Sequence, residues 1–186
     1  VDVELAGVIP TPAVAYLTKN SGAAIGVVIS ASHNPFHDNG IKFFGPDGYK
    51  LSDETELAIE KSLLGSDRID SGSRAPAGKV GRITNLDDAK DRYVHAVLDG
   101  LKTDSKFLEG MKVVLDCANG ASYETSPAIL EHLGADLLVA YNKPNGVNIN
   151  ADCGATHDDV IADLVKESSS AAVSYTHLRA HETIPD

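Results

Sequence analysis

The chain has 186 residues, 42% of them hydrophobic, enough to bury a core in one large domain or two small ones. Its 16 basic and 27 acidic residues leave a net charge of −11, which argues against nucleic acid or an anionic membrane surface as partner. Cys117 and Cys153 show no CxxC spacing and read as reduced thiols of a cytoplasmic protein. No apolar run is long enough to span a bilayer and no signal peptide opens the chain. Val1 falls in mid-pattern, so a fragment is expected.

Residues 4–9 form a short apolar stretch that reads as a strand, broken by Pro10-Thr11-Pro12. Pro12 suits a first helical turn, where its missing N–H has no partner anyway. Val14 and Leu17 give residues 13–19 one apolar helix face, and Asn20-Ser21-Gly22 ends it. Residues 24–29 are the next strand, which makes a βαβ step with parallel strands. Val27, Val28 and Ile29 are a β-branched run of the kind found in buried strands.

The chain then leaves the sheet through Ser30-Ala31-Ser32-His33-Asn34-Pro35. Asp38-Asn39-Gly40 is a tight-turn signal with Gly40 available for positive φ, and it delivers residues 41–44 as a second short strand. A hydroxyl, an imidazole and a carboxamide therefore stand at the carboxyl end of a core strand, the edge at which open α/β sheets bind ligands. Ser32 has two chemical readings: a nucleophile activated by a base, or a hydroxyl that carries a group. His33 adjoins it in an extended turn and points away, so a Ser–His relay is disfavoured, and the Gly-x-Ser-x-Gly elbow of hydrolases is absent. A Ser and His capping a solvated turn is the plain alternative.

Gly45-Pro46-Asp47-Gly48 is a strong turn, and residues 49–51 pair back as a hairpin. Asp53 with Glu56 resembles a capping box for a helix to about residue 64. The Gly-, Ser- and charge-rich stretch 65–76 is a loop, with a domain boundary between 65 and 85. Residues 87–102 are the clearest helix, with Val94, Val97, Leu98 and Leu101 on one face, and it reads as packing rather than chemistry. A second βαβ unit follows: strand 112–116, exit loop 117–121, a helix containing or starting at Ser126-Pro127, Gly134 as its C′ residue, and strand 136–141. The 117–120 turn could touch a ligand but is better read as structural. Thr156 with Asp159 can cap a helix to 166.

The run SASHNPFHDNGIKFF resembles the active-serine loop of the α-D-phosphohexomutases. GVIPTPAVAYLT, VVLDCANGASYETSPAILEHLGA and PNGVNINADCGAT are similar to the same family, so the resemblance covers residues 1 to about 170. It implies two partial three-layer α/β domains with mixed, mainly parallel sheets, truncated at both ends. Residues 1–80 would be the C-terminal part of domain I, 87–170 the N-terminal part of domain II, and 171–186 a non-native tail. That tail resembles translated sequencing-adapter read-through, and it replaces the family's Asp-Gly-Asp-x-Asp-Arg loop. His177 and His181 at i, i+4 beside Glu182 lack a third placed ligand and do not make a zinc site.

The resemblance further implies an intramolecular phosphotransferase of the isomerase class. Ser32 would be a phosphoserine whose phosphate is a ligand of Mg2+, with hexosamine 1,6-bisphosphate as activator and intermediate and the aspartate ligands of the metal absent. Lys42, the one cation close after the loop, would stabilise charge or assist proton transfer at the substrate hydroxyl; a strand lysine reaching solvent is the alternative. His33 would bind phosphate or orient the loop, and Asn34 would fix the turn beside the phosphate. The wording of the motifs favours the family's bacterial amino-sugar branch, which interconverts glucosamine 6-phosphate and glucosamine 1-phosphate for cell-wall precursors. Its glucose- or mannose-phosphate branches, or a non-catalytic α/β binding module, are the alternatives. The partner would be a small phosphosugar, and the fragment alone is expected to be inactive.

Overall fold

A computed structural model describes residues 1–64 and 75–175. Among these residues the fold is α/β with mainly parallel pairing, built from three small sheets. Strand β1 (Val3–Leu5) is shorter than the apolar stretch suggests, because Gly7 takes φ +72 and turns the chain. Helix α1 (Thr11–Ser21) starts behind Pro10 with Pro12 in its first turn and stops at Gly22, φ +73, a left-handed terminus that glycine adopts at no steric cost. Strand β2 (Gly26–Ser30) runs beneath this helix. The approach is close enough that a Cβ on Gly26 would collide with Thr18.

The first βαβ step is not realised as a parallel pair. Strand β1 hydrogen-bonds in parallel to β4 (Ile83–Asn85), and β2 pairs antiparallel with β3 (Gly40–Phe44). Nor is β2 buried throughout: Val28 is buried, while Val27 and Ile29 are 49% and 73% exposed. With one strand neighbour and a helix on one side, only alternate side chains find cover. Gly45 to Gly48 makes the expected turn, and Gly45 N–H and Leu51 N–H close the hairpin on the carbonyls of Tyr49 and Phe43. Helix α2 (Asp53–Leu64) forms, but its cap is Ser52, whose Oγ accepts from Thr55 N–H at 3.3 Å. Glu56 is instead engaged by Lys50 at 2.9 Å.

After a 3-10 turn (Ala77–Lys79) and β4, helix α3 (Ala89–Leu101) packs on α1. Ile9, Ala13, Leu17 and Ala89 form one core cluster, flanked by Leu86 and Tyr93. The second half follows the sequence closely. Strand β5 (Lys112–Asp116), helix α4 (Thr125–His132) and strand β6 (Asp136–Ala140) form the predicted βαβ unit, with Gly134 at φ +88 after the helix. Helix α5 (Asp158–Ser168) follows a 3-10 turn (Gly154–Thr156), and His157 precedes it without a side-chain cap, so Thr156 does not cap it.

Strand β7 (Ala172–Tyr175) then adds to β5, giving a parallel sheet in the order β6-β5-β7. These four residues fall within the tail expected at 171–186 and pair with β5. From residue 176 on, that expected tail, His177, His181 and Glu182 included, lies outside the described residues, as does most of the loop expected at 65–76.

Candidate functional site

The site begins where β2 runs out. Ser30 is the last paired residue, opposite Gly40, and Ala31 is buried at the exit. Ser32 then adopts φ +56, the left-handed region that costs a non-glycine residue on the order of 1–3 kcal/mol. Gly40, expected to supply the positive φ, lies in β3. The unusual backbone is thus at the serine and not at the glycine. Two local bonds fix the bend: Ser32 N–H donates to Ser30 Oγ at 3.0 Å, and Asn34 N–H donates to Ala31 O at 3.0 Å.

His33 is exposed, Asn34 half-buried, and His37 exposed with its ring edge-on to Phe36. Asn39 Nδ2 donates to Phe36 O at 2.6 Å and rounds off the loop. Lys42 sits directly opposite Val28 and is half-buried. Directly opposed residues of an antiparallel pair share a face, so Lys42 stands on the same face as Val28 and as Ser30, which anchors the serine bend.

The second half of the chain reaches this loop. Asp116, 1% exposed at the end of β5, accepts from Ala118 N–H at 2.7 Å through one carboxylate oxygen and from Gly154 N–H at 2.8 Å through the other. It ties together the 117–121 turn and the 142–154 loop, in which Ala118, Asn119, Asn150 and Asp152 all take left-handed φ. Asn150 N–H donates to Ala118 O at 2.9 Å. Its side-chain Nδ2 donates to Ser32 O and to Asn34 O, both at 3.0 Å. Two such bonds contribute about 1 kcal/mol each, comparable to the strain at Ser32.

The sequence reading missed Asn150 and Asp116. Their partners are 118 and 38 residues away, and no local pattern announces such contacts. Their one available signal is their place in the second-half segments similar to the phosphohexomutases.

Comparison with known proteins gives the site its context. The sequence model "Phosphoglucomutase/phosphomannomutase, alpha/beta/alpha domain I" matches residues 1–69. The chain is 49% identical over 176 residues to the phosphoglucosamine mutase of Desulforamulus reducens, covering 94% of this chain and 38% of that protein. It is 53% identical over 167 residues to that of Novosphingobium aromaticivorans, covering 90% and 36%. The chain belongs to the phosphohexomutase family. The phosphohexomutase fold is also that of a putative phosphomannomutase from Thermus thermophilus, matched at TM-score 0.74 and 21% identity over 96% of this chain and 40% of that one. The chain thus spans little more than a third of the length of the curated phosphohexomutases it matches.

In this phosphohexomutase segment the structure joins Ser32 and Asn34 through Asn150, sets Lys42 on the strand that pairs with the serine's own, and leaves His33 facing solvent. A metal ion bound here would need more than the serine. Among the described residues no group of three or more His, Cys, Asp or Glu side chains could hold one, so the residues present do not complete a Mg2+ shell. Cys117 and Cys153 are buried beside Asp116, and burial, helped by that carboxylate, pushes each thiol up to about 11. They are packed, protonated groups and not nucleophiles. A cavity of about 350 Å³ lies behind the serine loop, between Val28, Ser30 and Ala31 on one side and Asn119, Gly120 and Tyr123 on the other.

Proposed function

We propose that the intact protein carrying this chain is a phosphoglucosamine mutase acting through a phosphoserine at Ser32. The supporting observation is a serine in a left-handed bend at the carboxyl end of β2, in a chain about half identical to phosphoglucosamine mutases. In the first half-reaction the Ser32 phosphoryl passes to the free hydroxyl of glucosamine 6-phosphate or glucosamine 1-phosphate. The P–O bond to Ser32 breaks, a P–O bond to the sugar forms, and the sugar hydroxyl's proton ends on the serine. The product is the 1,6-bisphosphate. After reorientation its other phosphoryl returns to Ser32 and the isomeric monophosphate is released.

A phosphoserine carries about −1.5 to −2 charge near neutrality, so phosphoryl transfer rests on positioning and on cations. Lys42, half-buried on the face that holds Ser30, is the group proposed to steady that charge or to relay the proton. His33, exposed on the loop, is available to a substrate phosphate, and Asn34 holds the turn beside it. Mg2+ would supply further charge neutralisation in the intact protein. The 1–80 and 87–170 division into parts of two domains and a cytoplasmic setting belong to the same reading. Among the described residues no helix is long and apolar enough to cross a membrane.

Intact-mass measurement and peptide mapping of the full-length protein test this directly, with one phosphate expected on Ser32. Ser32→Ala in the intact enzyme should cost at least about 10³-fold in kcat. The 186-residue chain alone is expected to show no turnover even with Mg2+ and hexose bisphosphate added. Phosphate on another residue, or full activity of Ser32→Ala, would overturn the assignment.

A further inference from the structure

We propose that Asn150 is a positioning residue for the phosphoryl-carrying serine, its carboxamide clamping the backbone on both sides of His33 so that Ser32 stays in its left-handed bend. The inference rests on the role assigned to Ser32 above and adds a residue from the other half of the chain.

The geometry leaves little freedom. Both partners of the Asn150 side chain are carbonyl oxygens, at 3.0 Å each, so only the NH2 end can face them. One NH2 group spans the carbonyls of Ser32 and Asn34, and a change of backbone direction at either residue would break one of the two bonds. Two further bonds at the bend, from Ser32 N–H to Ser30 Oγ and from Asn34 N–H to Ala31 O, come from within the loop itself and would move with it. Asn150 is anchored elsewhere. Its N–H is held by Ala118 O, and the turn containing Ala118 is tied through the buried Asp116 carboxylate to Gly154. The clamp therefore refers the serine's conformation to the end of β5, a strand buried from Val113 to Asp116.

Asn150 itself has φ +57, a conformation that Asn and Asp adopt more readily than most residues and Gly adopts freely. Asn150→Gly and Asn150→Asp can both keep the backbone, and they differ in what they present to the two carbonyls. In the intact enzyme, Asn150→Gly should lower kcat about 30-fold, the loss of two hydrogen bonds at tenfold per 1.36 kcal/mol, with KM within about threefold. Asn150→Asp should lower kcat further, because a carboxylate oxygen would face two carbonyl oxygens. A tie that only joins the two halves would move the melting temperature and leave kcat alone.

Wild-type kcat in both variants would overturn the proposal, as would a fall in KM-limited rate alone. Ser32→Ala run in parallel separates the two claims: its retained activity would remove the serine's role and with it the clamp's purpose. A dead Ser32→Ala beside fully active Asn150 variants would remove the clamp only. Should the variants fail to fold, the unsubstituted 186-residue chain still decides. Scalar couplings across the hydrogen bonds from the Asn150 side-chain amide to the carbonyl carbons of Ser32 and Asn34 are expected, and their absence with free-amide exchange rates would overturn the clamp.

Discussion

Strands β2 and β5 read GVVIS and KVVLD, nearly the same apolar run, yet one is covered on a single face and the other on both. In β5, Val113, Val114 and Leu115 are all buried, because the strand lies between β6 and β7 and α5 packs against it. In β2, Val28 is buried under α1, while Val27 and Ile29, with Ile41 of β3 at 62% exposure, lie open. The difference comes from the neighbours and not from the strands. A central parallel strand is sheathed by its crossover helices, whereas a two-stranded hairpin has one face to spare. The two strands also end differently. Strand β5 ends in Asp116, a buried carboxylate that fixes loops, and β2 ends in a strained bend that presents Ser32.

The sharpest way to break this contrast is at Asp116. Asp116→Ala would leave the buried N–H groups of Ala118 and Gly154 without their acceptor and should destabilise the chain by about 2–6 kcal/mol in urea unfolding. A loss under about 1 kcal/mol would mean that the carboxylate does not hold these loops. Next comes a matched pair in the two strands. Val114→Ala, at a fully buried position, should cost about 2 kcal/mol, while Ile29→Thr on the open face should stay within about 0.5 kcal/mol. Equal costs in the two would erase the distinction between the sheets.

The smallest effect is at the thiols. Cys117 and Cys153, raised to about 11 against an ordinary value of 9.0, keep their protons in the fold when the unfolded chain has already lost them. The unfolded state thus binds fewer protons between about pH 9 and 11, and stability should be full below pH 9 and decline as pH rises through that window. Iodoacetamide labelling at pH 8 should be slow for both until the chain is unfolded.

Much of the second half was legible in the sequence. KVVLD, Gly134 and DLLVA specify a strand, a helix stop and a strand by local rules, and the parallel βαβ unit follows from their spacing. The first half was legible in its elements and not in their pairing. Helix α1, the serine loop and the Gly45 to Gly48 turn stand where residue chemistry predicts, but β1 pairs with β4, some 80 residues away, instead of lying beside β2. At the helix starts, Ser52 and not Asp53 caps α2, because neighbouring Ser, Thr and Asp offer competing acceptors and only the final backbone geometry selects among them, and α5 follows His157 with no side-chain cap.

From the order of residues alone came the proposal of Ser32 and its loop, since a hydroxyl at a strand exit and the length of the SASHNPFHDNGIKFF match are written in consecutive positions. The tertiary structure alone decided how that loop is held. The left-handed turn at Ser32, the grip of Asn150 on carbonyls 118 and 116 residues away and the Asp116 strut to Gly154, 38 residues on, depend on groups that only the fold brings together. Hydrogen bonds of that span leave no periodicity for a sequence to display. They exist only once burial has fixed where the partners lie.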